Sequence, residues 1–280
     1  MANITVAMIN DLRTRTNAGM MDCKKALIDT NGDMDAAIKI LREKGLAIQV
    51  KRADKESKEG VISAVVAADG KAIAMAEINC ETDFVAKTDK FKEFAAAVAD
   101  KALENEATAI EVMNEELVAI VAATGENVKI RRVARFEAAE NALLESYIHM
   151  GGKVGVIVEV GCSSAEVVKH EAVTEMIHDL ALQIAASAPR YLNSSEVPAD
   201  IVETEREIAR NSDRFKGKPA NIVENAMKGI VNKFFSEVCL VNQPFVKEPK
   251  QSVADVVNDA AKKAGGEISI TRFVRFQLGA

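Results

Sequence analysis

The sequence predicts an α+β fold: a three-helix N-terminal module, then two related α+β subdomains with antiparallel sheets, the second carrying a helical-hairpin insert. Three observations predict it. Short blocks of sequence recur in constant register along the chain. Within each copy, strand-like stretches give way to helix-like periodicity. One long helical stretch occurs in the second copy alone.

Residues 1–50 form the first element. "ITVAMINDLRTRTNAGMMDCKKALIDTNGDMDAAIKILREKG" divides into three short helical segments, with breaks at Asn17-Ala18-Gly19 and Asn31-Gly32-Asp33. Ile4, Ala7, Met8 and Leu12 mark one face of the first, Met21, Lys25 and Ile28 bracket the second, and Asp33 caps a third that ends near Gly45. The charged stretch "QVKRADKESKEG" follows, giving a linker over residues 51–60.

The repeat begins next. "GKAIAMAEINCET" from Gly70 aligns with "GKVGVIVEVGCSS" from Gly152, pairing Glu77 with Glu159 and Cys80 with Cys162 at a constant offset of 82 (152 − 70). Both read as strands leaving a hairpin. Phe91, Phe94, Ala95 and Val98 then fall on one helix face, and Val173, Met176, Ile177 and Leu180 repeat that face at the same offset. Further on, "NVKIRRVARFE" matches "EISITRFVRFQ", with Arg132 over Arg272, Arg135 over Arg275 and Gly125 over Gly265, now at an offset of 140 (272 − 132). Each copy therefore reads hairpin, helix, helix, strand. Residues 61–140 form the first subdomain, and 141–192 with 246–280 the second.

The second copy is longer by 140 − 82 = 58 residues, and the insert responsible for most of that excess is placed at 193–245. It reads as two antiparallel helices joined at "KGKP", with Pro219 opening the second. Val223, Met227, Ile230, Phe234 and Val238 form an apolar stripe that must be covered, either by the facing helix or by a second copy of the chain.

Bulk composition limits the function. The 280 residues are 48% apolar and 28% charged with a net charge of −6, a globular profile that argues against phosphate-backbone binding, so no nucleic-acid partner is expected. No apolar run is long enough for a bilayer and no secretory signal precedes the fold, which points to the cytoplasm and to no membrane partner. Cys23, Cys80, Cys162 and Cys239 stand more than fifty residues apart, as reduced thiols rather than zinc ligands. There is no phosphate-binding glycine loop and no nucleophile elbow, and "DTNGDMD" lacks the glycine and late glutamate of a calcium loop. His149, His170 and His178 have no metal spacing. No cofactor, no metal and no enzymatic activity are expected.

One stretch stands apart. In "INCETDFVAKTDKF", Thr82, Asp83, Phe84 and Val85 lie where the strand gives way to helix. Asp83 could cap a short helix while Phe84 tucks beneath it. Alternatively both side chains face outward, a greasy tip with an anionic shoulder. The second copy has Ser164, Ala165, Glu166 and Val167 at these positions. A core residue common to both copies would recur as something large and apolar, and Phe84 is matched by Glu166. That comparison favours the outward arrangement.

"TDFVAK" after a strand, "RTNAGMMDCKKAL" and "NGDMDAAI" near the start, "GENVKIRRV" and "QPFV" together closely resemble the translation elongation factor Ts family, the bacterial and organellar exchange factors for elongation factor Tu. The resemblance covers nearly the whole chain. It implies a ubiquitin-associated-like N-terminal module, a core of two related subdomains, and a coiled-coil insert that supports a homodimer. It also implies a non-enzymatic partner of elongation factor Tu, GDP-bound and nucleotide-free. In that family, residues matching Asp83 and Phe84 press beside the nucleotide site and displace the Mg²⁺ ligands. Thr82 and Val85 flank them, and Met20, Met21, Thr124, Gly125, His149 and Val246 match further contact points. Many members continue past the final strand into a C-terminal helical module, whereas this chain stops at Ala280. The competing class is a non-enzymatic, dimeric assembly or chaperone-like scaffold that uses Phe84 only for packing.

Overall fold

The computed structural model describes residues 4–16, 18–211 and 220–280. Three helices open the chain: α1 Val6–Thr16, α2 Met20–Asp29 and α3 Met34–Arg52. The first repeat follows as β1 Glu59–Val66, β2 Ala72–Cys80, α4 Asp83–Ala86, α5 Asp89–Glu104, α6 Glu106–Val112, α7 Asn114–Thr124 and β3 Lys129–Glu137. The second comprises β4 Ala142–His149, β5 Val154–Cys162, α8 Ala165–Val168, α9 Glu171–Ser187, α10 Ala199–Arg210, α11 Ala220–Val238, α12 Val253–Ala264 and β6 Ile268–Gln277. The strands form two three-stranded antiparallel sheets, ordered β1-β2-β3 and β4-β5-β6. The chain divides into two units. One is Met1–Glu137 with Ile148–Gly155 and Phe276–Ala280, and the other is Ala138–Tyr147 with Val156–Arg275.

The repeat read from sequence is a repeat of structure. β5, α8 and α9 begin 82 residues after β2, α4 and α5. Gly125 and Gly265 end α7 and α12 in the same left-handed conformation, φ 70° in both, which glycine adopts without a Cβ clash. The matched charges are matched contacts. Glu77, fully buried on β2, accepts from Arg132 Nε on β3 at 2.7 Å, and Glu159, buried on β5, accepts from Arg272 Nε on β6 at 2.5 Å. A buried carboxylate needs such a partner, so each copy keeps its own.

β2 is buried along its whole length; α5 covers one face of the sheet, and β1 and β3 flank it on either side. Ile78, Phe91, Phe94, Val98, Val121 and Val128 lie in one core cluster beneath it. The predicted faces Phe91/Phe94/Ala95/Val98 and Val173/Met176/Ile177/Leu180 are all buried.

In the N-terminal module the face expected on α1 is altered: Leu12 is buried, but Ile9 joins it and Ala7 is exposed. The buried face of α2 is Cys23, Ala26 and Leu27, and Met21 and Ile28 point outward, because Cys23 packs as a small apolar side chain. Nor does α3 end near Gly45; it continues to Arg52. A Cβ at Gly45 would sit 2.6 Å from the Val118 carbonyl oxygen and 3.1 Å from Ala122 Cβ on α7, so this glycine permits close helix packing and does not stop the helix. Asp33 caps α3 as expected, accepting from Ala36 N at 3.0 Å. Asn17, the KGKP turn and Pro219 lie outside the described residues.

In the insert, α10 packs on α11, and Met227, Phe234 and Val238 of the predicted stripe are buried within the single chain. Phe234 and Val238 cluster with Val197 and Cys239, backed by Ile201 and Val202.

Candidate functional site: the Phe84 turn

α4 is a single turn set between a strand and a long helix, and two consecutive caps fix it. Thr82 Oγ1 accepts from Val85 N at 3.4 Å, and Thr88 Oγ1 accepts from Phe91 N at 3.3 Å. Val85 and Ala86 pack into the core cluster with Phe91. On so short a turn the preceding side chain points away from that cluster. Phe84 is 79% exposed, and among the described residues no large apolar side chain is more so. In the second copy Val167 is buried and Glu166 is exposed at the matching places, so the geometry is shared and only the outward residue differs.

Asp83 is half exposed and pairs with Lys87 Nζ at 2.5 Å, one helical turn along. That hydrogen bond is the main cause holding its carboxyl below the usual aspartate range. An exposed pair of this kind adds little stability.

Beneath the turn lies a network that sequence reasoning missed. Glu126 accepts from Glu81 N and Thr82 N, both at 3.1 Å through Oε2, and from the Thr82 hydroxyl at 2.6 Å through Oε1. Glu81 in turn accepts both Nε and Nη2 of Arg52 at 2.7 Å and the backbone N–H of Asn127 at 2.7 Å. The end of α3, the turn before α4 and the loop after α7 are thus tied by two carboxylates. Asn127 extends the tie, its side-chain Nδ2 donating to the Lys55 carbonyl at 2.8 Å while its backbone carbonyl accepts from Ser57 Oγ at 2.9 Å. Cys80 Sγ donates to the Thr82 carbonyl at 3.1 Å, and burial above all pushes this thiol up to about 12, leaving it un-ionised. The signal for Glu81 and Glu126 was present in the sequence: the second copy has Ser163 and Gly266 there.

The Arg52 hydrogen bond, foremost, lowers Glu81 from 4.5 to about 2. A carboxyl depressed on folding stabilises the folded chain above its unfolded value, and this contribution is lost as pH falls through the folded one. Glu81→Gln is therefore expected to be less stable than wild type by about 2 kcal/mol at pH 7, the scale of charge-assisted hydrogen bonds. In urea unfolding series, that gap should close as pH drops from about 4.5 toward 2. A gap independent of pH would show that Glu81 is not held ionised by the fold.

The elongation factor TS family model matches residues 81–280. Elongation factor Ts of Nautilia profundicola is 43% identical over 290 residues, covering 100% of this chain and 94% of its own. That of Desulfovibrio desulfuricans is 43% identical over 285 residues, covering 100% of both chains, and that of Trichlorobacter lovleyi is 43% identical over 289 residues, covering 99% of this chain and 93% of its own. The chain belongs to the elongation factor Ts family.

The other positions singled out by resemblance to elongation factor Ts lie on separate elements. Thr124 ends α7, its hydroxyl donating to the Ile120 carbonyl at 2.8 Å, and Gly125 caps that helix, so both belong to the loop that Glu126 ties to Thr82. Met20 and Met21 open α2 and are 52% and 73% exposed. His149 ends β4 at the hairpin tip, next to the exposed Met150. Val246 lies in the second unit, partly exposed, its backbone N–H held by Gln183 Oε1 at 2.8 Å. Among the described residues, no cluster of three His, Cys, Asp or Glu side chains is arranged for a metal, and no helix is long and apolar enough to cross a membrane.

Proposed function

We propose that this chain is a cytoplasmic guanine-nucleotide exchange factor for elongation factor Tu and that Phe84 is its working tip. The observation that carries the reading is an aromatic ring held out in solvent on a capped, tied-down turn, in a chain of the elongation factor Ts family. Leaving a phenylalanine uncovered forgoes the roughly 1.5–3 kcal/mol its burial would contribute, so the exposure calls for a partner that covers it. The ring, with Asp83 beside it, presses next to the nucleotide site of the GTPase and shifts the segment bearing its Mg²⁺ ligands. Mg²⁺ tolerates little departure from octahedral geometry, so it is released, and GDP loses its charge neutralisation. Thr82 and Val85 hold the turn, while Met20, Met21, Thr124, Gly125, His149 and Val246 add contact area.

No covalent step is involved. The factor exchanges nucleotide only because it binds the empty GTPase better than the GDP-bound one, and a factor with equal affinity for both would shift nothing. Linkage then requires that GDP weaken the factor's binding by the same ratio that the factor weakens GDP's, about 5–150-fold for typical coupling. Titrating fluorescent GDP into elongation factor Tu with and without this chain tests it. Faster GDP release and a weaker apparent GDP affinity are expected. Equal affinity and equal release rate would reject the reading in favour of a scaffold.

A further inference from the structure

We propose that Glu126 is a positioning residue for Phe84: its carboxylate sets the turn that presents the ring, an inference that rests on the role given to Phe84 above. A four-residue helix does not hold itself, because fixing the first turn is the costly step of helix formation. Here one carboxylate takes three donors from the two residues before that turn. It also orients the Thr82 hydroxyl, which donates to Glu126 and so directs a lone pair at Val85 N.

The second copy shows that the device is not a general need of the fold. Its α8 turn is capped in the same way, with Ser164 Oγ accepting from Val167 N, and carries no aromatic tip. Gly266 stands where Glu126 stands. A Cβ on Gly266 would lie 2.4 Å from Val167 Cγ2 and 2.6 Å from Ser163 Oγ. The loop there closes directly on the turn instead. Ser163 N donates to the Glu267 carbonyl at 3.0 Å, and Glu267 N donates to Ser163 Oγ at 3.0 Å. The same architecture is thus held by small residues in one copy and by a carboxylate in the other. The carboxylate accompanies the exposed ring. Charge-assisted bonds at the base of the turn pre-order the tip, so less freedom is lost when a partner covers it.

Glu126→Gln tests this in the full-length chain. The substitution keeps the size but turns one acceptor oxygen into an NH₂ donor facing N–H or O–H groups. Three results are expected. Amide hydrogen exchange at residues 81–86 of the free chain accelerates about tenfold while the melting temperature falls by only a few degrees, as for loss of a local charge-assisted bond. The maximal rate of GDP release from elongation factor Tu falls about tenfold. In a Phe84→Ala background the same substitution lowers the rate no further. Unchanged amide protection in Glu126→Gln overturns the inference whatever Phe84 does. A full additional loss in the double variant also overturns it, since Glu126 would then act elsewhere. Phe84→Ala releasing GDP at the wild-type rate would instead sink the role given to Phe84, with the protection data still deciding the brace. Should Glu126→Gln not fold, Glu126→Asp keeps the charge but shortens its reach to the Glu81 and Thr82 donors, leaves the Thr82 cap in place, and carries the same measurements.

Discussion

Phe84→Ala is expected to remove most of the exchange activity while leaving the fold intact. The ring is 79% exposed, so its loss deletes almost no internal packing, and surface substitutions of this kind stay within about 0.5 kcal/mol. The melting temperature should therefore move by no more than about 2 °C. At an interface the balance reverses. A rigid aromatic anchor that fills a partner's pocket commonly carries 2–4 kcal/mol, so the rate of GDP release at saturating factor should fall about 30- to 1000-fold. Stopped-flow release of fluorescent GDP from elongation factor Tu measures this directly. A rate within twofold of wild type would leave Phe84 without the proposed role.

Phe91→Ala, seven residues on, should do the opposite. Phe91 is fully buried in the cluster with Ile78, Phe94, Val98 and Val121. Removing its ring leaves a cavity in a close-packed core, which costs about 3–5 kcal/mol and lowers the melting temperature by roughly 10 °C. At 25 °C the fraction that remains folded should exchange GDP at the wild-type rate, because the tip at Phe84 is unchanged. Thermal unfolding followed by circular dichroism, with GDP release normalised to folded protein, separates the two. A small shift in melting temperature would mean that the neighbours collapse into the space. Two phenylalanines on consecutive helices thus act on different links of the chain, one on association and one on folding.

Much of this was legible because the chain carries its own comparison. Strand alternation and helical spacing give the elements, and a second copy at fixed offsets separates what the fold needs from what only one copy has. Glu77 and Glu159 recur because each is a buried carboxylate with an arginine on the adjacent strand. Phe84 does not recur, and it is the residue left in solvent. The same comparison would have marked Glu81 and Glu126, but a lone glutamate near a loop has no periodicity to distinguish it from an ordinary solvated charge. The extent of α3 was misread for a local reason. A glycine at the expected end of a helix signals a cap, yet Gly45 is placed for its missing side chain, which only the arrival of α7 against it reveals.

Sequence alone determined the duplication and the core faces of α5 and α9 and favoured the outward direction of Phe84, since these follow from local periodicity and from residue-by-residue comparison of the copies. Tertiary structure alone decided what holds the turn. Arg52, Glu81 and Glu126 are separated by 29 and 45 residues and meet only when α3, β2 and the loop after α7 converge. Hydrogen bonds between side chains and backbone amides so far apart leave no pattern along the chain, because their partners are set by the packing of whole elements and not by the spacing of neighbours.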